Sequence, residues 1–183
     1  MKNTALILID IQKGFGDLSY WGNRNNDDAE KNAGEILAAW RNKGFPIFHI
    51  KHNSTNPKSK LFPGQTGNDI QDIVKPLETE PVISKNVNSA FIGTNLKERL
   101  DKQNIKSLVV VGLTTDHCVS TTVRMAGNFG YETYLVSDAT ATFEKTDKTG
   151  NKIPAEIIHN IHLTSLDGEF ATVATTKEIL QKF

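Results

Sequence analysis

The chain has 183 residues, of which 21 are basic (Lys and Arg) and 21 are acidic (Asp and Glu), so its formal net charge is zero. This length favours one domain that spans residues 1–183, because domains usually contain about 100–200 residues. The balanced charge argues against a general nucleic-acid-binding protein, which needs a basic excess to neutralise phosphates. Hydrophobic residues make up 38% of the chain, a share that argues for a globular core and against intrinsic disorder.

No apolar run reaches the roughly 18–20 residues that a membrane-spanning helix needs. The longest such runs, Ala5–Ile9 and Leu108–Val111, have the length of strands. The first residues, Met1–Thr4, do not form a signal-peptide pattern. We therefore expect no membrane partner and a cytoplasmic location.

Short apolar runs that are typical of strands alternate with stretches of helical periodicity. The predicted strands are Thr4–Asp10, Pro46–His52, Pro81–Ser84, Ser107–Gly112, Tyr131–Ser137 and Phe170–Thr175. The predicted helices are Asp27–Lys43, Gly93–Gln103, Asp116–Asn128, Pro154–Leu166 and Thr176–Phe183. Such alternation implies right-handed crossovers and a three-layer α/β/α fold around a mostly parallel, Rossmann-like sheet of about six strands.

Three residues with catalytic chemistry lie at the ends of predicted strands. Asp10 ends the first strand, Lys85 follows the third, and Cys118 lies in the first turn of the helix after Ser107–Gly112. Because ligands bind at the carboxyl ends of parallel strands, we expect these side chains to converge. The helix N-terminus and Lys85 would lower the pKa of the Cys118 thiol or otherwise activate it. With Asp10 as a proton acceptor and donor, the three describe acyl transfer through a thioester.

Each of these residues also has a structural interpretation when it is taken alone. Asp10 is then a turn residue, Lys85 a solvated surface lysine and Cys118 a small buried apolar side chain. As the single cysteine of the chain, Cys118 allows no intrachain disulfide and no zinc site with two or more cysteines. Their shared position at three strand ends of one sheet favours the catalytic interpretation.

Three segments resemble the isochorismatase-like cysteine hydrolases, a family that includes nicotinamidases, carbamoylsarcosine-type amidases and isochorismatases. The resemblance extends over nearly the whole chain, from Ala5 to Ala174. The matching segments are Leu8–Gln12 with Phe15, then Lys85 with Ser89–Phe91, and finally Gly112–Val119 with Thr122 and Ser137–Ala139.

The resemblance implies that Cys118 is the nucleophile, Asp10 the general base and then acid, and Lys85 the cation that orients both. It implies a non-proline cis peptide bond between Leu113 and Thr114, so that the N–H groups of Thr114 and Cys118 point at the developing oxyanion. It also implies a small-molecule substrate, no cofactor, and assembly into homodimers or larger homo-oligomers.

The chain departs from the nicotinamidases of this family, which carry an Asp-x-His metal motif after the second strand. The corresponding segment, Phe48–Ser54, contains no acid, and Lys51 at its centre would repel a divalent cation. His49 and His52 would face opposite sides of a strand. We therefore expect no metal site and a core position for His49. His52, at the strand end, has either a structural role or a contact with the pocket. His117, as the neighbour of Cys118 on a helix, is expected to face away from the pocket.

Aromatic side chains are expected to wall a small planar pocket. The candidates for substrate binding are Phe15, Trp21, Phe62 and Phe91, together with His52, and Tyr20 is a further aromatic near the mouth. The long polar segment His52–Asp69 is a candidate lid, because loops of that length in compact domains are usually functional or mobile.

The leading hypothesis is a hydrolase that cleaves a C–N bond of a small amide, imide or carbamoyl substrate. The presence of Cys118 favours this hypothesis. The family resemblance implies that the isochorismatases proper cleave a vinyl ether by protonation and often lack the cysteine. Two alternatives stay open: a vinyl-ether hydrolase with Asp10 as the acid, and a non-catalytic binding subunit that keeps the fold.

Overall fold

A computed structural model describes residues 4–183, and the part of the signal-peptide expectation that rests on Met1–Asn3 lies outside these residues. The strands are β1 Thr4–Ile9, β2 Ile47–His52, β3 Val82–Lys85, β4 Ser107–Leu113, β5 Glu132–Ala141, β6 Lys145–Thr146, β7 Lys152–Ile153 and β8 Thr172–Ala174. The helices are α1 Leu18–Trp21, α2 Ala29–Lys43, α3 Leu96–Lys102, α4 Ser120–Asn128, α5 Ala155–Leu166 and α6 Thr176–Lys182.

The central sheet contains six parallel strands in the order β3-β2-β1-β4-β5-β8, which confirms the predicted fold class. From β1 the chain moves outward to β2 and β3, and from β4 it moves outward on the other side to β5 and β8. The direction of winding therefore reverses between β1 and β4. Ligands bind at such a reversal point, outside the carboxyl ends of the two strands.

The two faces of β1 anchor two separate layers of core. Ala5, Ile7 and Ile9 point into a buried cluster with residues of α3 and α4. Leu6 and Leu8 point into the opposite cluster, where α2 and α6 pack. The strand is apolar on both faces because both are covered, as is usual in parallel sheets.

The segment around Cys118 differs from the predicted helix Asp116–Asn128. A wide helical turn, Thr115–Val119, comes first, and the α-helix begins only at Ser120. The carbonyl of Thr114 accepts hydrogen bonds from the backbone N–H groups of His117 (3.1 Å) and Val119 (3.2 Å), which closes this turn. Elsewhere the predicted elements shift by a few residues at their ends; the main case is β5, which continues past Ser137 to Ala141.

Among the described residues 4–183, no helix has the length and apolar character required to cross a membrane.

Candidate active site

The backbones of β1 and β4 approach closely where the candidate site begins. Asp10 follows β1 in a left-handed conformation (φ 51°), and its N–H donates to the carbonyl of Ile50 at 3.0 Å. On β4, the register partner of Ile9 is Gly112, which has φ 122°, and a Cβ atom there would lie 2.0 Å from the carbonyl oxygen of Ile9. Position 112 therefore requires glycine, because both the conformation and the space exclude a side chain.

The three residues predicted from strand ends lie together. Lys85 Nζ is 2.6 Å from Asp10 Oδ2 and 3.3 Å from Cys118 Sγ. The side chains of Asp10 and Lys85 are fully buried, and Cys118 is 8% exposed. Oδ1 of Asp10 has no hydrogen bond to any residue of the described range 4–183, so it is free to accept a proton.

His52 completes the surroundings of the lysine, with its Nδ1 atom 3.2 Å from Lys85 Nζ. Burial and the Lys85 charge lower the pKa of His52, so the ring is neutral and Nδ1 accepts from the ammonium. The side chain of Gln12 fixes this strand end by accepting from the His52 N–H at 2.8 Å and donating to its carbonyl at 3.0 Å. Lys85 thus has one contact for each of its three N–H bonds.

The protonation state of the thiol differs from the sequence-based expectation. Burial and the negative charge of Asp10 raise the pKa of Cys118, and Lys85 lowers it by less. Burial also raises the pKa of Asp10, against the opposing effect of Lys85. The expected lowering of the thiol pKa is wrong, because burial and the negative charge of Asp10 together outweigh the effect of Lys85. The resting site is therefore a thiol beside a buried ion pair.

The peptide bond between Leu113 and Thr114 is cis, as the family resemblance implies. Thr114 and Cys118 both line a cavity of about 120 Å³ at the carboxyl ends of β1 and β4. The complete lining consists of Asp10, Phe15, Trp21, His52, Ser59, Leu61, Asn88, Thr114, His117 and Cys118. For comparison, a cavity of about 150 Å³ can hold one benzene molecule. The space therefore suits a ligand of no more than about one ring.

Phe15 and Trp21 form the aromatic wall of the cavity. Their ring centroids are 4.9 Å apart, and Phe143 packs behind both at 6.0 and 5.6 Å. The indole N–H of Trp21 donates to the carbonyl of Gly14 at 2.8 Å, which fixes the ring. Tyr20 packs edge-to-face on Trp21, outside the lining.

Two predicted pocket residues lie elsewhere. Phe62 does not line the cavity, because its neighbour Leu61 points inward instead. Phe91 belongs to the core between the sheet and α4, where its ring stacks on Tyr131 with a centroid distance of 6.2 Å. His117 departs in part from its expectation: the wide turn brings this residue to the cavity, although its side chain is 56% exposed and its Nε2 lies 3.4 Å from Asp116 Oδ2.

The sequence analysis missed Asn88, Ser59 and Leu61 as lining residues. Asn88 Oδ1 lies 3.8 Å from Cys118 Sγ. Of these three residues, only Asn88 could have been predicted from the sequence, because it follows Lys85 by three positions in the same segment. Ser59 and Leu61 reach the cavity from the middle of a long loop, whose path the sequence does not reveal.

That loop, residues 53–69, covers the cavity, and hydrogen bonds and an ion pair hold it in place. The amide of Asn68 donates to the carbonyls of His52 (3.0 Å) and Leu61 (2.8 Å). Lys60 forms an ion pair with Asp17 at 2.7 Å. These contacts hold the segment over the cavity, and its action as a lid stays a prediction.

A metal ion does not fit this site. Asp10, His52 and Cys118 offer ligand atoms within 4.8 Å of one another. The ammonium of Lys85 contacts all three residues, however, and its full positive charge would repel a cation held there. His49 faces the other side of β2, where its Nε2 lies 2.9 Å from Glu80 Oε2. The two histidines therefore do not form a common site.

Comparisons with known proteins show which family the chain resembles. The model of the isochorismatase domain matches residues 4–178. The isochorismatase family protein YrdC of Bacillus subtilis strain 168 is 50% identical over 100% of this chain and 97% of its own length. Nicotinamidase 3 of Arabidopsis thaliana is 29% identical over 79% of this chain and 76% of its own.

A solved structure extends the agreement to three dimensions. The crystal structure of an isochorismatase family protein from Chromobacterium violaceum superposes with a TM-score of 0.94 at 42% identity, covering 99% of this chain and 93% of that one. The matches to the family model, to YrdC and to the Chromobacterium violaceum structure thus include the central sheet and the three strand ends. The chain belongs to the isochorismatase family of hydrolases.

Proposed function

We propose that this protein is a cysteine-dependent hydrolase that cleaves a C–N bond in a small amide, imide or carbamoyl compound. The observation that carries the proposal is the position of the Lys85 ammonium, in contact with both Asp10 and Cys118 at the cavity wall. A nucleophile, a proton acceptor and a cation that orients both are the groups that acyl transfer requires.

In the first half of the reaction, Asp10 Oδ1 takes the thiol proton while the sulfur attacks the substrate carbonyl carbon. The C–S bond forms and the carbonyl electron pair moves to oxygen, where the N–H groups of Thr114 and Cys118 would stabilise it. Asp10 then gives its proton to the nitrogen, the C–N bond breaks and the amine leaves. Because the thiol is protonated at rest, attack and proton transfer are coupled.

In the second half, Asp10 takes a proton from water as the water oxygen attacks the thioester carbon. The C–O bond forms, the C–S bond breaks, and the proton returns from Asp10 to the sulfur. The net change is amide plus water to acid plus amine, and Asp10, Lys85 and Cys118 regain their starting states. Lys85 holds Oδ2 of Asp10, which leaves Oδ1 to exchange protons.

Two observations favour the amide over the vinyl ether. The cavity holds about one ring, and its charged groups are Asp10 and the adjacent Lys85, which neutralise each other. Isochorismate carries two carboxylates, and this lining offers them no unpaired buried cation. A further support is that one relative bears the name of an amide hydrolase, nicotinamidase 3.

The test is ammonia release from a panel of small amides by the wild-type protein and the Cys118→Ala variant in parallel. We expect Cys118→Ala to lose on the order of a hundredfold or more in rate. Iodoacetamide should inactivate the wild type with one equivalent of label, found on Cys118 by mass spectrometry, and the variant should take up none. Ammonia release that survives in Cys118→Ala would refute the thioester route. A wild type that neither reacts with iodoacetamide nor hydrolyses any amide would favour the binding-subunit alternative.

A further inference from the structure

One polar group in the cavity wall is not used by the proposed chemistry. Thr114 is 5% exposed, and its hydroxyl is buried without a hydrogen bond to any group of residues 4–183. A buried hydroxyl without a partner is unfavourable, because it has lost its hydration without gaining a hydrogen bond. Native structures retain few such groups, and each of them requires an explanation.

Two donors beside the cavity, the Lys85 ammonium and the Trp21 indole, have partners, in contrast to this hydroxyl. Lys85 directs its N–H bonds to Asp10, His52 and Cys118. The Trp21 indole N–H donates to the carbonyl of Gly14. Because Thr114 lines the cavity, a ligand bound there is the partner that its hydroxyl could gain.

Covalent geometry limits which ligand atom it can reach. In Thr114 the backbone nitrogen and Oγ1 are separated by three bonds, so the groups that bind to them must also be close together. If the Thr114 N–H holds the substrate carbonyl oxygen, the acceptor for the hydroxyl lies about two bonds from the carbonyl carbon. The balanced charges of Asp10 and Lys85 favour a neutral acceptor over a carboxylate.

We propose that the Thr114 hydroxyl selects neutral carbonyl substrates that carry a hydrogen-bond acceptor two bonds from the scissile carbonyl carbon. This inference rests on the proposed attack by Cys118. It deepens that proposal by naming a residue that determines specificity and the feature that it recognises. A site that places a donor at this position discriminates against isomers whose acceptor lies elsewhere, because the donor is then left unpaired.

The test uses two isomeric aldehydes, pyridine-2-carbaldehyde and pyridine-4-carbaldehyde, which differ only in the position of the ring nitrogen. The Cys118 thiol adds across the aldehyde: the C–S bond forms, and the thiol proton passes through Asp10 to the oxygen, without any change of oxidation state. Dissociation constants from calorimetry report this adduct without knowledge of the natural substrate. The ratio of the two constants is compared between variants, which cancels the intrinsic reactivity of each aldehyde.

We expect Thr114→Val to reduce the preference for the 2-isomer about fivefold, the worth of one neutral hydrogen bond. Thr114→Ser, which keeps the hydroxyl, should retain the preference. Thr133→Val is the matched control, because its buried hydroxyl donates to the carbonyl of Tyr131, outside the cavity lining. Thermal unfolding of each variant verifies that it is folded.

The outcomes separate the two proposals. Adduct formation in wild type with an unchanged ratio in Thr114→Val overturns the role of the hydroxyl and leaves the thioester proposal intact. If neither aldehyde forms an adduct that depends on Cys118, the proposed nucleophile fails and this inference fails with it.

Discussion

The ammonium of Lys85 lies 2.6 Å from Asp10 Oδ2, and both side chains are completely excluded from solvent. Such a pair does not necessarily stabilise a fold, because each charge loses its hydration. Breaking the pair from one side is nevertheless costly, since it leaves an uncompensated charge in the interior. The arrangement therefore makes Lys85 important for both the protonation state of Asp10 and the stability of the site.

We predict that Lys85→Met reduces amide hydrolysis at least about a hundredfold and lowers the free energy of unfolding by about 3 kcal/mol or more near neutral pH. Without the ammonium, the pKa of Asp10 rises further. The stability loss should therefore be largest at high pH and shrink as the pH falls and Asp10 becomes neutral. Urea unfolding at several pH values measures this trend.

Lys97→Met is the matched control for that variant. Lys97 pairs with Asp101 at 2.7 Å, but the two side chains are 41% and 55% exposed. Exposed pairs contribute at most about 1 kcal/mol, so this variant should differ little from wild type in stability or activity. Equal destabilisation by both substitutions would show that burial of the Asp10–Lys85 pair carries no special cost.

The raised pKa values of Asp10 and Cys118 predict an unusual pH profile for reaction with iodoacetamide. An exposed cysteine gains reactivity as its thiolate forms at a pH of about 8.5. Here burial and Asp10 raise the thiol pKa, so no such step is expected near pH 8.5. The thiol reacts instead by passing its proton to ionised Asp10. The rate should therefore fall on the acid side, with a midpoint above the ordinary aspartate value of 3.8, because burial raises the pKa of Asp10.

The measurement is the rate constant for alkylation between pH 4 and pH 10, followed by mass spectrometry of the single labelled residue. Asp10→Asn should remove the acid limb and react slowly throughout, since no proton acceptor remains. A wild-type profile with one rise near 8.5 would contradict the coupled thiol and carboxylate described for this site.

Asp116 anchors the turn that carries the nucleophile. Its carboxylate accepts a hydrogen bond from the Thr142 hydroxyl and pairs with Lys145 at 3.0 Å. Burial alone would raise the pKa of Asp116, but Thr142, His117 and Lys145 outweigh it and lower the pKa to about 2. A depressed carboxyl pKa contributes stability above the ordinary value, and this stability is lost as the pH falls through the folded value.

We therefore predict that Asp116→Asn lowers the free energy of unfolding at neutral pH by up to about 2 kcal/mol, the equivalent of this pKa shift. The difference from wild type should disappear between about pH 4 and pH 2. Asp28→Asn is the control, because Asp28 is 75% exposed and its contact to Lys31 is 3.8 Å long. A loss for Asp116→Asn that persists unchanged at pH 2 would indicate a packing effect.

The sequence predicts most of the fold and the catalytic centre, because both depend on strand ends. Apolar runs locate the six parallel strands, and Asp10, Lys85 and Cys118 follow three of them. Parallel strands bring their carboxyl ends to one edge, so proximity follows from the element pattern without knowledge of side-chain contacts.

The cavity wall is much harder to predict than the triad, because loops and an irregular turn build it. Leu61 lines the cavity where Phe62 was expected, a difference of one position in a loop without periodicity. His117 reaches the cavity because the Thr115–Val119 turn is wider than the α-helix that the sequence indicates. The thiol pKa depends on how far Asp10 cancels the Lys85 charge, which requires distances that the sequence does not provide.

The close approach of β1 and β4 gives a last prediction, for Gly112→Ala. A Cβ atom at this position would lie 2.0 Å from the carbonyl oxygen of Ile9, and the backbone has φ 122°. Because the obstacle is backbone in the centre of the sheet, β1 or β4 must move to relieve the contact. We expect a loss of unfolding free energy of about 3 kcal/mol or more, together with loss of hydrolysis, because Asp10 and Cys118 follow these two strands. Gly16→Ala is the control, since nothing lies within 4 Å of a Cβ atom there. Urea unfolding and ammonia release from the amide panel measure the two effects, and a Gly112→Ala protein with wild-type stability would contradict the close packing of β1 against β4.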